Sequence, residues 1–250
     1  MEEGAADNLA ELEPQLTADG STTLFSSRYA QTFHSHHGAV SEAMHVFVEG
    51  SGVAARLRSG SAARILEVGF GTGLNFLLTA QSAVEGGAAV EYVALERAFL
   101  AAGVLSSLGY GRYAREPLIG LLRFRRELGD APRPGVYRAG IAGAGLELRL
   151  GEAEAADIEA ERFDAIYHDA FSPDANPELW SREFLARLAG SLIPGGVLVS
   201  YTVKGDVRRY LANAGLQVSK VAGPPGGKRE MLRAVKPGQG IPGGVVQVDR

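Results

Sequence analysis

The stretch Ile65-Leu66-Glu67-Val68-Gly69-Phe70-Gly71-Thr72-Gly73-Leu74-Asn75-Phe76 constrains this chain more than any other. Its apolar opening reads as a buried strand, three glycines at alternating positions follow, and a helical pattern begins at Leu74. Glycine tolerates positive φ and lets the backbone approach a ligand. A helix start adds unpaired N–H groups. Strand, glycine turn and helix N-terminus together make a nucleotide site. The spacing is Glu-x-Gly-x-Gly-x-Gly. It is not the dinucleotide fingerprint, whose third glycine would fall at position 74, occupied by Leu74. It is not a P-loop either, because no Gly-Lys-Ser/Thr follows.

The chain has 250 residues and is 46% hydrophobic and 22% charged, which suits one globular domain with a sizeable core. It has no cysteine, so disulfides, thiolate nucleophiles and Cys-zinc sites are excluded. No apolar run approaches the roughly 20 residues of a membrane span, and the acidic start Met1-Glu2-Glu3-Gly4 lacks a secretory pattern. A cytoplasmic location without membrane contact is therefore expected. The net charge of −4 argues against a nucleic-acid partner, but six acids lie in residues 1–20, and without them the balance becomes +2. Arginines concentrate between Arg112 and Arg138, where they read equally as a phosphate-holding surface or as a solvated helix face.

Residues 1–20 read as a flexible acidic leader, 21–236 as one domain with a short N-terminal extension, and 237–250 as a peripheral Gly/Pro-rich tail. His34, His36 and His37 invite a metal reading, yet the segment lacks a carboxylate and the chain lacks cysteine, so no metal is expected. A helical pattern runs from Ser41 to about Leu57. Residues 89–96 read as the second strand, ending in Glu96, 23 residues after Gly73. An acid at that position accepts hydrogen bonds from ribose hydroxyls in doubly wound folds. Residues 98–142 read as mostly helical and irregular, longer than a usual crossover. A strand over 146–150 ends at Gly151-Glu152, where an acid could take the adenine amino group, with Glu154 as competitor. Phe163–His168 reads as a strand ending at Asp169, and Phe171 and Pro173 follow. The carboxyl ends of the strands are where such sheets bind ligands, so Asp169 and Phe171 are expected beside the glycine loop. Asn176 and Pro177 read as the start of the next helix. Strands over 195–202, 216–218 and 228–235 complete the sheet, the last two as an antiparallel edge pair.

An acid closing the first strand before alternating glycines resembles the first motif of class I S-adenosylmethionine-dependent methyltransferases. The expected fold is therefore their Rossmann-like α/β architecture, a seven-stranded, mostly parallel sheet with an antiparallel edge strand. The resemblance narrows with Gly-Phe-Gly-Thr-Gly-Leu-Asn-Phe (69–76) and Asp-Ala-Phe-Ser-Pro (169–173). Tyr29, Gly38–Glu42, Asn176–Trp180 and Gly227-Lys228-Arg229-Glu230-Met231 support it. Together they resemble the methyltransferase module of bacterial MnmC-type wobble-uridine enzymes, particularly its stand-alone MnmD-like form. An oxidase module such as full-length members of that family carry is not expected within these 250 residues. The family commonly has Gly-Asp where this chain has Gly151-Glu152.

The resemblance implies methyl transfer from S-adenosyl-L-methionine to the amine of 5-aminomethyluridine, or its 2-thio form, in a tRNA anticodon loop. It implies that Glu67, Gly69, Gly71, Gly73, Asn75, Glu96, Glu152 and Asp169 serve the cofactor. Asp169 and Phe171 would then serve the reaction, and Tyr29, Glu42, Lys228 and Arg229 the substrate. Lys204, Arg208, Arg209, Lys228 and Arg229 are candidate phosphate contacts, with solvated surface as the alternative. The competing readings are a small-molecule N-methyltransferase, an aminopropyltransferase on the same fold, and a non-catalytic module that binds the cofactor. Oligomeric state stays open.

Overall fold

The computed structural model describes residues 12–238. A short sheet comes first: β1 (Leu12–Leu16), β2 (Thr22–Ser26) and β3 (Gln31–Thr32), paired antiparallel in that order. Residues 12–20, expected in a flexible leader, are therefore built in, with Leu12 opposite Ser26 and Leu16 opposite Thr22. Residues 1–11, the rest of that leader, and most of the expected tail lie outside the described residues.

The helix expected over 41–57 is divided. α1 (Ala39–Glu42) passes into a π-helical turn (Ala43–Glu49), and α2 (Val53–Arg58) follows after Gly50-Ser51-Gly52. The main sheet then alternates strands and helices: β4 (Ala63–Val68), α3 (Leu74–Gly86), β5 (Val90–Glu96), α4 (Ala102–Ser107), α5 (Arg115–Glu127), β6 (Gly135–Ile141), β7 (Ala144–Leu150), β8 (Phe163–His168), α6 (Arg182–Ser191), β9 (Leu192–Ser200), α7 (Gly205–Asn213), β10 (Gln217–Ala222) and β11 (Glu230–Val235). Their order across the sheet is β10-β11-β9-β8-β4-β5-β7-β6. β9, β8, β4, β5 and β7 are parallel, while β10, β11 and β6 enter through antiparallel pairings. The expected parallel core and antiparallel edge are present. An eighth strand, β6, extends the other edge through a hairpin with β7, where the sequence reads as irregular.

Side chains alternate across a strand, so both faces of a covered sheet carry apolar residues. Ile65, Tyr92, Leu146, Tyr167 and Val199 join one core with α2, α3 and α5. Leu66, Val93, Ile166, Leu198 and Leu232 join a second core with Phe184, Leu185 and Leu188 of α6 and Leu211 of α7. α3 is buried nearly all round, from Leu74 through Ala80, because it lies between the sheet and neighbouring helices. Asn176 accepts no capping bond; it precedes a 3₁₀ turn (Pro177–Trp180), and Ser181 caps α6 by accepting from Phe184 N–H at 3.2 Å. A one-turn 3₁₀ segment intervenes where a continuous helix was expected.

The order of strands reverses between β4 and β8. Their carboxyl ends, with those of β5, β7 and β9, therefore open on one edge of the sheet, where doubly wound folds bind ligands.

Candidate functional site

The loops at those carboxyl ends line a cavity of about 530 Å³. After β4, Gly69, Gly71 and Gly73 all have positive φ (87°, 51° and 73°). A Cβ on Gly69 would lie 2.8 Å from the Asp169 carbonyl oxygen, and one on Gly71 would lie 2.9 Å from the Phe33 ring. Glycine is required at both positions, because the loops after β4 and β8 touch backbone to backbone and the N-terminal sheet closes over them. Asp169 N–H donates to the Val68 carbonyl at 2.9 Å, which locks the same approach.

After β5, the Glu96 carboxylate accepts from Gly71 N–H at 2.8 Å and from Ala98 N–H at 2.9 Å. It ties the glycine loop to the second strand end while lining the cavity. After β7, Gly151 and Glu152 line the same wall, and Glu152 pairs with Arg97 at 3.3 Å. A bare glycine backbone, a carboxylate at the second strand end and an acid at the third thus share one wall, a donor and acceptor set that fits S-adenosylmethionine.

The opposite wall is aromatic and acidic. Tyr29 stacks on Phe171 with centroids 4.3 Å apart, and Phe33 meets Phe171 edge-on at 5.1 Å. Such stacks favour planar or cationic guests. Gln31 and Ser172 exchange two hydrogen bonds, Gln31 Nε2 to Ser172 Oγ at 2.7 Å and Ser172 N–H to Gln31 Oε1 at 3.2 Å. This pair pins the N-terminal sheet to the loop after β8. Trp180 Nε1 donates to the Phe171 carbonyl at 2.8 Å, and Tyr201 Oη donates to the Ala170 carbonyl at 2.9 Å. The loop carrying Asp169 and Phe171 is therefore held on three sides.

Asp169 is half-buried and lines the cavity. Asn75 Nδ2 bridges it to Glu67, 2.8 Å from Asp169 Oδ2 and 2.8 Å from Glu67 Oε1. Burial is the main cause that pushes Asp169 well above the usual carboxylate range, and Glu67 and Glu42 add to it by like charge. Burial likewise raises Glu67 to about 8. Glu42 ends α1, is buried, and accepts from Ser35 N–H at 2.7 Å; burial raises it too. Lys228, in the turn between β10 and β11, is exposed through the cavity and places its Nζ 4.3 Å from the Tyr201 ring centroid.

The structure brings together Tyr29, Glu42, Gly69, Gly71, Glu96, Glu152, Asp169, Phe171 and Lys228 around one cavity. Four expected residues stand apart from its lining. Glu67 is fully buried and Asn75 nearly so, and the Asn75 amide links both to Asp169. Gly73 initiates α3 behind the loop. Arg229 is exposed outside the cavity. Lys228, expected among phosphate contacts, faces the cavity. Lys204 and Arg209 pair with the nearby acids Asp174 and Asp206, as a solvated surface does. His34 is buried, and its Nδ1 lies 3.0 Å from Thr23 Oγ1. Among the described residues no group of three or more His, Asp or Glu could hold a metal ion. No helix among them is long and apolar enough to cross a membrane. Tyr201, Phe33 and Gln31 line the cavity without having been anticipated. Tyr201 follows the carboxyl end of β9 and was within reach of the strand-end rule. Phe33 and Gln31 arrive through the N-terminal sheet, for which sequence gives no such rule.

A family model described as S-adenosyl-L-methionine-dependent methyltransferase matches residues 131–237. The tRNA 5-methylaminomethyl-2-thiouridine biosynthesis bifunctional protein MnmC of Ralstonia nicotianae is 36% identical over 233 residues, covering 90% of this chain and 34% of that protein. The protein of the same name from Pseudomonas paraeruginosa is 37% identical over 231 residues, covering 87% and 34%. The chain thus spans about a third of the length of the curated relatives it matches. The crystal structure of MNMC2 from Aquifex aeolicus superposes with a TM-score of 0.73 at 29% identity, covering 93% of this chain and 73% of that one. A spermidine synthase superposes at 0.51 with 16% identity over 90% of this chain and 70% of that one, a likeness of fold alone. With the glycine loop, the strand-end acids and the strand order agreeing, the chain is an S-adenosyl-L-methionine-dependent methyltransferase of the class I fold, similar over most of its length to a third of MnmC.

Proposed function

We propose that this enzyme methylates the primary amine of 5-aminomethyluridine, or its 2-thio form, at the wobble position of tRNA. The observation that carries the reading is the acceptor wall: the stacked Tyr29–Phe171 pair adjoins a carboxylate, Asp169, in the cavity that the cofactor wall also lines. A base from a single-stranded anticodon loop can be splayed out and stacked on such rings. An alkylammonium needs a carboxylate beside it to orient its hydrogens and take its proton. The names borne by the relatives of this module point the same way. A tRNA partner carries a cytoplasmic location with it.

Bound S-adenosylmethionine supplies an electrophilic methyl group on a sulfonium. Gly69, Gly71, Glu96 and Glu152 would hold it along one wall. Asp169, in its ionised form, would accept a hydrogen bond from the substrate amine and then its proton. Phe171, Tyr29 and Phe33 exclude water and fix the base, so that nitrogen and methyl meet in line.

The test uses tRNA from cells that lack this activity, labelled S-adenosylmethionine, and nucleoside mass spectrometry. We expect 5-methylaminomethyluridine from the native protein. Asp169→Ala should lose at least 100-fold in rate, on the order of what general-base removal costs, while still binding cofactor. Cofactor binding without labelled uridine, but with labelled small amines, would replace the tRNA reading with a small-molecule one.

A further inference from the structure

Lys228 has a placement that a phosphate contact does not need. Its turn is pressed together by Gly223, whose N–H donates to the Arg229 carbonyl at 2.9 Å. From there the side chain enters the cavity mouth, with Nζ 4.3 Å above the ring of Tyr201. Three further groups face the same space. Glu42 comes from the end of α1, Asp169 from the loop after β8, and His37 stands beside Glu42 from the loop before α1. Tyr201 itself remains a neutral phenol.

We propose that Lys228 is the resident cation that makes the incoming substrate amine give up its proton. The inference rests on the aminomethyl substrate reading above. A primary alkylamine arrives as R–CH2–NH3⁺ and has no free electron pair. Two carboxylates alone, Glu42 and Asp169, would hold it in that charged form, because opposite charge favours the ion. Such a pocket would bind the substrate well and leave it unreactive. A positive charge already present offsets that pull, since a second ammonium in the same space is disfavoured by the first, and exclusion of water from the cavity disfavours the charged amine further. Lys228 and the substrate then titrate as a coupled pair that carries one proton fewer than two separate amines. R–CH2–NH3⁺ becomes R–CH2–NH2, the proton passes to Asp169 and on to solvent, and Lys228 keeps its own. Burial lowers the Lys228 pKa while Glu42 and Asp169 raise it, as expected for an amine that shares charge with its surroundings.

Proton release on binding reads this directly, without turnover. The probe is an anticodon stem-loop carrying 5-aminomethyluridine, titrated calorimetrically into the full chain saturated with S-adenosylhomocysteine, in buffers of different ionisation enthalpy. The native protein should release close to one proton per site near neutral pH. Lys228→Arg should do the same, because it keeps the charge. Lys228→Met should bind the stem-loop and release none. In turnover, the acid limb of kcat for Lys228→Met should move up by about one to two pH units, the size of a near-charge effect. Equal proton release in Lys228→Met, with weaker and less salt-sensitive binding, would overturn the proposal and return Lys228 to the phosphate contacts. A stem-loop that fails to bind the native protein, which still binds S-adenosylhomocysteine, would instead remove the tRNA reading on which the proposal stands.

Discussion

Asn75 shows how much of this site is held from behind the cavity lining. One amide donates to two carboxylates, and Glu67, the inner one, is fully buried. Glu67 is protonated more readily in the folded chain than in the unfolded one, because burial lifts its pKa from 4.5 to about 8. A raised acid pKa stabilises the fold below the unfolded value, and that contribution is lost as pH rises through the folded value. Glu67 therefore costs stability progressively between about pH 4.5 and about pH 8. Glu67→Gln keeps the shape and the acceptor but cannot ionise. Its melting temperature should match the native one near pH 5 and exceed it increasingly toward pH 8. Buried His34 and His168, both held near 4, act in the opposite sense as pH falls below 6.5, but they cancel in the difference between variants. Parallel melting curves across the whole range would show that Glu67 stays ionised. The sequence marks Glu67 and Asn75 because they flank the glycines, yet it does not separate a ligand contact from a support. That distinction depends on whether a strand-end side chain points into the cavity or back into the sheet, and one residue of register decides it.

At the scale of elements, the main sheet was legible because buried parallel strands are apolar runs punctuated by glycine or an acid. β6 was not. Gly135–Ile141 carries two glycines and an exposed face, so its apolar signal is weak, and only pairing with β7 defines it. β1 escaped for a similar reason, since Leu-Glu-Pro-Gln-Leu holds a proline and no apolar alternation. A polar knot attaches this first sheet to the body. Asp19 accepts from Ser21 N–H at 3.0 Å, from Thr17 Oγ1 at 2.8 Å, from Ser41 N–H at 2.9 Å and from Ser41 Oγ at 2.8 Å. These bonds hold its carboxyl well below the usual range. The sheet it anchors carries Tyr29, Gln31 and Phe33 into the cavity. Asp19→Ala should therefore loosen the cover more than the core. Hydrogen exchange should rise in residues 17–41 while α3 and β8 keep their protection, and KM for the acceptor should rise more than kcat falls. Uniform loss of protection would mean that the first sheet is part of the global folding unit.

At the scale of the whole molecule, the site is where the first sheet meets the main one. The first sheet, α1, the carboxyl ends of five parallel strands and the β10–β11 turn each contribute lining residues. Two cores on opposite faces of the sheet are otherwise separate. A ligand in the cavity joins elements from both, so its binding energy adds to the stability of the entire chain and not to one loop. At a hundredfold excess over Kd, S-adenosylhomocysteine should add about 2.7 kcal/mol. For a chain of this size that corresponds to a rise in Tm of about 5–10 °C. Glu96→Ala removes the acceptor that ties Gly71 and Ala98 to the second strand end. At the same ligand concentration it should lose most of that rise while melting within a few degrees of the native protein when ligand-free. A calorimetric scan separates the possibilities. One transition that moves as a unit means the cavity couples both cores. A transition that splits, with only part of the heat moving on ligand addition, means the N-terminal cover melts first and the cofactor is held by the strand ends alone. In that event the aromatic wall would be assembled by the acceptor when it binds, and Tyr29→Ala would change acceptor affinity while leaving the cofactor-induced shift intact.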